Sequence, residues 1–231
     1  MLSADVEQFY HLMDLIAARP GQGGSLSEYT GRSTWPRRGV YFFREPGEQR
    51  SGLPGVPRIV RVGTHAVSAG SKSTLWGRLR AHRGSRDGGG NHRGSIFRLH
   101  VGAALLDRDR EVIGELPTWA DGPTAPKLIR AGEATHERRV SGYIGAMSIL
   151  WVEVPDDAGR ESRRAYIERN AIALLSNGLE PLDPPSAGWL GHHSPRAAIR
   201  RSGLWNLNHV DEQYDPRFLD ALAVFVTRAA A

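Results

Sequence analysis

Two short apolar runs constrain this chain more than any other feature: Gly39-Val40-Tyr41 within RRGVYFF, and Val60-Arg61-Val62-Gly63 within RIVRVGTH. Each is β-branched or aromatic, and between them stand Pro46, Gly47, Gly52, Pro54, Gly55 and Pro57. Strands favour the first kind of residue and turns the second, so the pattern predicts two strands joined by a loop. The next spacing is helical, from about Ser73 to His82. At about 100° per residue, Arg78 and His82 fall on the face of Leu75 and Leu79, while Arg80 points away. A guanidinium turned towards a sheet needs a ligand or a partner, because an unpaired buried charge is costly. A salt bridge to an internal carboxylate is the plain alternative to a functional role.

The remaining elements follow in order. Asp5 to Arg19 predicts a first helix, with Val6, Phe9, Leu12, Met13 and Ile16 on one stripe and Pro20-Gly21 ending it. Residues 83–95, RGSRDGGGNHRGS, carry no apolar side chain and predict an exposed loop. Its glycines, with Arg86, His92 and Arg93, permit close approach to a phosphate backbone. Ile96 to Leu106 predicts a strand running into a helix, and Glu133 to Val140 a short polar helix. Ile149 to Val154 is the clearest further strand, ended by Pro155-Asp156. Arg160 to Ser176 predicts a long helix closed by Asn177-Gly178, and Pro216 to Arg228 a last amphipathic one.

Glu168 repeats the oddity of Arg78. On its helix it falls within the apolar stripe of Ala171, Ile172 and Leu175 rather than opposite it. A carboxylate facing the core is either paired or holds a hard cation through oxygen. Pairing with Arg78 would answer both oddities and gather a carboxylate, a guanidinium and a histidine in one site. That set offers a cation site, a charge clamp and a proton acceptor, the equipment for hydrolysing a phosphodiester. Charge points the same way: residues 58–110 carry eleven Lys/Arg against three acids, a net +8, although the whole chain is only +5. Such a basic centre fits a polyanion such as nucleic acid, with a merely solvated arginine-rich face as the alternative. The lack of cysteine fits a reducing cytoplasm. Met1 to Pro20 lacks the basic start and apolar run of a signal peptide, and no stretch reaches the ~18 apolar residues of a membrane span.

These residues resemble the motifs of the GIY-YIG nuclease family. Gly39-Val40-Tyr41 matches the first motif, and Arg61-Val62-Gly63 the second, with arginine in place of its tyrosine. Arg78 matches the family arginine, His82 the histidine four residues on, and Glu168 the metal-binding glutamate. His92 corresponds to a second histidine that some members carry in the following loop. The likeness covers about Arg37 to Leu175, with a long insertion between the arginine helix and the glutamate helix. It implies an α/β (α+β) fold with a small, mainly antiparallel sheet flanked by helices. That domain would fill residues 1–231, its core about 37–177, with helix 5–19 before it and an extension, 178–231, after it. The activity implied is that of a divalent-metal-dependent DNA endonuclease. One Mg²⁺ or Mn²⁺ would sit on Glu168, and Arg78 would hold the scissile phosphate. Tyr41 or a histidine such as His82 would help deprotonate the attacking water. Arg61, His92 and Arg93 would be accessory contacts to double-stranded DNA. An arginine at position 61 can clamp phosphate but is no base. The family also has an asparagine after the glutamate helix, for which Asn177, Asn206 and Asn208 are candidates.

A literal Tyr143-Ile144-Gly145 is also present, far from Tyr41 and with no Arg-x-x-x-His after it, and is read as a turn into the Ile149 strand. Two other functions fit the same residues: a nucleic-acid-binding module that does not cut, and an enzyme acting on a small phosphate ester. His192-His193 read as loop histidines, since adjacent residues seldom ligate one ion from a regular element. His209 and Trp205 read as closers of the core, and the six tryptophans as scattered rather than as a base-stacking platform.

Overall fold

The computed structural model describes residues 2–228. Helix α1 (Leu2–Ala17) precedes strands β1 (Gly39–Gln49) and β2 (Pro57–Gly63). Helices α2 (Leu75–Arg83), α3 (Ile96–Arg108), the short α4 (Arg110–Ile113) and α5 (Lys127–Ala146) follow. Strand β3 (Ser148–Glu153) leads to α6 (Arg163–Leu175), α7 (Ala197–Ser202) and α8 (Phe218–Arg228). The three strands form one antiparallel sheet in the order β2-β1-β3. An α+β fold with a small flanked sheet is therefore what the chain adopts.

Successive side chains of β1 leave opposite faces of the sheet. Val40 and Phe42 join Val62, Leu150 and Val152 in a core with α1, α6 and α8. Tyr41 and Phe43 join Val60, Ile149 and Trp151 in a second core with α2, α3 and α5. Burial on both faces explains why VYFF and ILWV read as continuous apolar runs rather than as alternation.

Both sheet edges are covered. Trp205 N donates to Val60 O at 2.8 Å, and the Asn206 side chain grips both Val62 N and Val62 O, at 3.1 and 2.8 Å. On the other edge Gly23 N donates to Ile149 O at 3.0 Å, and the Gln22 amide holds Trp151 N and O. Exposed edges invite pairing with another chain, and these two loops remove them. Register shifts twice along the hairpin, first near its middle, where Phe43 faces Arg61 but Arg44 faces Ile59, and again between Arg44 and Gln49. The extra residue at the first shift is a β-bulge, and it brings Val60 and Arg61 to the α3 side together.

Three sequence expectations are corrected. Residues 96–106 are helix throughout, capped by Ser95 Oγ, which accepts from Arg98 N; Gly102 is there because Trp119 fills the space a Cβ would need. Helix α5 is much longer than Glu133–Val140, and the first half of its inner face is polar, with Glu133, His136 and Glu137 buried before Val140 and Ile144 join the core. The 83–95 segment is exposed only in part, since Gly84, His92 and Ser95 are buried. No helix among the described residues is long and apolar enough to cross a membrane.

Candidate active site

Tyr41 sits mid-strand between Gly63 of β2 and Trp151 of β3. Its ring lies across Gly63 so closely that any Cβ at that position would overlap the phenol. The glycine of Arg61-Val62-Gly63 is thus dictated by the tyrosine of Gly39-Val40-Tyr41. The Tyr41 hydroxyl meets His82 Nε2 at 2.9 Å, and His82 Nδ1 meets Ser95 Oγ at 2.8 Å. His82 is fully buried, and burial, with the charges of Arg61, Arg78 and Arg98, holds its pKa well below the usual imidazole range. It is a neutral, oriented partner for the phenol.

Beside this pair a pocket of about 350 Å³ is lined by Arg61, Arg78, His100, Glu168 and the Asn206–His209 turn. Arg61 is buried, its Nη1 donates to Trp205 O at 2.6 Å, and its guanidinium lies 4.6 Å from the centre of the Phe97 ring. Its Nε has no partner. Burial and the like charge of Arg78 depress its pKa, opposed by the nearby Tyr41 phenol and Glu168. Arg78, on α2, is half-buried and makes no ion pair among the described residues. Glu168, on α6, uses Oε1 to accept Thr64 N–H at 3.0 Å, a bond offered by the chain leaving β2. Burial raises its pKa, with Arg61, Thr64, His209 and Arg78 working against that rise. The expected direct pairing of Arg78 with Glu168 is not formed: the two line one pocket with their charges still open to a third party.

Across its whole length, residues 1–231, the chain matches the family model of the GIY-YIG domain. The chain belongs to the GIY-YIG nuclease family. No curated protein and no solved structure matches it.

The candidate pocket accommodates an arginine at position 61. Arg61 stands on the strand next to Tyr41, as the second-motif tyrosine would, and it alone of the two lines the pocket, Tyr41 and His82 being buried behind it. The literal Tyr143-Ile144-Gly145 forms the last turn of α5, where Tyr143 bonds Glu45, and takes no part.

Two sequence-picked residues go elsewhere. His92 is buried, its ring centre 3.8 Å from that of Trp119 with the planes tilted by 30°, and bonded through Nδ1 to Glu137 Oε1 at 2.9 Å. Arg93 is forked onto Glu133 at 2.6 and 2.9 Å. Their donors are taken by buried carboxylates of α5, so neither is available to DNA in this structure. Of the asparagines, Asn177 ties Asp183 to Ser202, Asn206 caps the β2 edge, and Asn208 lies exposed in the pocket wall.

Two further residues of this pocket, His100 and His209, are not legible in the sequence. His100 is buried on α3, with Nε2 unpartnered and its pKa lowered to about 4 by burial and by Arg196 and Arg61. Only with residues 96–108 helical throughout does His100 share a face with this pocket. His209, read as a core residue, instead sits in the left-handed region at φ 66° and lines the pocket, its Nδ1 on Glu212 Oε1 at 2.8 Å. Trp205 is buried as expected. The tryptophans are not all scattered: Trp35 lies 5.0 Å from Trp76 and 4.5 Å from Trp151.

Proposed function

We propose that this protein is a divalent-metal-dependent endonuclease that hydrolyses phosphodiester bonds in double-stranded DNA. One observation carries the reading: two guanidiniums and a carboxylate face one pocket and none of the three neutralises another. Charges held apart in a partly desolvated site are costly unless a ligand completes them. A phosphate answers the arginines, and a cation answers Glu168.

The donor set fits a magnesium-type ion. Among the described residues no group of three or more His, Asp or Glu is placed to hold a metal, which excludes a closed protein cage. A single carboxylate, with one oxygen committed to Thr64 N and the other not, suits a hard cation that keeps most of its water. Glu168 would hold it, and when bound the ion would supply charge stabilisation at the scissile phosphate. Arg78 and Arg61 would hold the non-bridging oxygens as negative charge builds. The Tyr41 hydroxyl, fixed by neutral His82, would orient the attacking water.

The complete burial of Tyr41 favours a second reading, a GIY-YIG scaffold that holds DNA without cutting it. Incubating supercoiled plasmid with the protein and Mg²⁺ or Mn²⁺ separates the two. Nicking that Glu168→Ala abolishes supports the nuclease; salt-sensitive binding without nicking supports the module.

A further inference from the structure

On the other side of α2 lies a groove of about 730 Å³, whose wall includes Trp76, Arg80, Arg83, Arg86 and Asn91. We propose that this groove is a second phosphate-binding site, which takes the sugar-phosphate backbone of the DNA a few nucleotides from the scissile bond. The inference rests on the nuclease reading for the identity of the polyanion.

Four arginines of the fold with buried side chains are matched to acids: Arg58 to Glu48, Arg93 to Glu133, Arg98 to Glu137 and Arg164 to Asp156. Those of the groove are not. Arg80 and Arg86 are exposed, and their side chains make no hydrogen bond or ion pair among the described residues. Arg83 reaches the carbonyls of Tyr29 and Gly84 and lies 5.2 Å from the centre of the Trp76 ring. Burial, and then the like charges of Arg86 and Arg80, depress its pKa, a sign of how closely the three cations are gathered. The one acid of the adjoining loop, Asp87, folds back onto Ser85 Oγ and Gly89 N and does not line the groove. Trp76 is already stacked with Trp35 and engaged by Arg83, so the groove offers guanidiniums rather than free ring faces. That chemistry selects backbone phosphate and not base identity.

Helical geometry links the groove to the pocket. Arg80 and Arg83 project roughly 200° and 140° from Arg78 around α2. The outward ridge between the two sides carries only Gly77 and Ala81, which let a backbone come close. Crossing a helix ~10–12 Å wide spans about three nucleotides at ~3.4 Å of axis per step.

The test compares the full chain with Arg80→Ala/Arg86→Ala and with Arg130→Ala/Arg160→Ala, a matched removal of two exposed arginines outside the groove. Binding of a fluorescent DNA duplex is titrated against salt without divalent metal, and plasmid nicking is measured at saturating DNA. We expect the groove variant to bind several-fold more weakly and its log K against log[salt] slope to flatten by about two, near 0.9 per lost phosphate contact. Nicking at saturation should persist, and the control variant should keep the wild-type slope. An unchanged slope in the groove variant, or an equal change in the control, overturns the groove while leaving the nuclease reading intact. Failure of the wild type both to bind and to nick DNA overturns both.

Discussion

Gly63 lies opposite Tyr41 across the β1–β2 ladder, and the phenol occupies the space that a side chain at position 63 would need. The two motif residues are therefore one packing decision. Gly63→Ala should force the Tyr41 ring away from His82 and destabilise the fold by about 1–3 kcal/mol, the usual range for overpacking a filled core. Denaturant unfolding of Gly63→Ala, Tyr41→Ala and the double variant checks this. Because both changes act on one contact, the double should be less destabilised than the sum of the singles. Simple additivity would mean the overlap is relieved elsewhere.

At Glu168 the pocket works against the fold. Its raised pKa means that the ionised carboxylate is less comfortable in the folded chain than in water. At neutral pH the metal-free Glu168→Gln protein should therefore melt higher than the wild type, since Gln can still accept Thr64 N–H through its carbonyl. The gain should shrink as pH falls and the wild-type carboxyl protonates. Mg²⁺ should raise the melting temperature of the wild type and leave that of Glu168→Gln unmoved.

Acid should weaken the fold through its buried histidines. His65, 5% exposed, has its pKa lowered to about 4 by burial and by Arg164, Arg78 and Arg38; His100, 2% exposed, reaches a similar value. Both stay neutral in the folded chain while the unfolded chain takes up protons below 6.5. Stability is then lost as pH falls from about 6.5 towards 4. Denaturant midpoints at pH 7 and pH 4.5 should differ less for His65→Gln/His100→Gln than for the wild type. Carboxylates lose charge in both proteins, so the difference isolates the two imidazoles.

The hairpin, β3, α1 and α6 were legible because their apolar spacing alone requires them. The first half of helix α5 was not, because its buried side chains there are Glu133, His136 and Glu137, which read as solvent residues until Arg93, His92 and Arg98 are seen beside them. The same network occupies the side chains of His92 and Arg93. Arg78 and Glu168 were legible as polar residues on apolar stripes. His100 and His209 were not: one needed the correct helix, and the other a left-handed turn that the sequence does not announce.

The most direct test of a shared phosphate and metal site is plasmid nicking by Arg78→Ala. Arg78 has no ion-pair partner among the described residues, so its removal should leave the melting temperature unchanged. With Mg²⁺ or Mn²⁺, wild-type protein should convert supercoiled plasmid to open circles, while Arg78→Ala leaves it supercoiled. Nicking by Arg78→Ala at the wild-type rate would contradict the account.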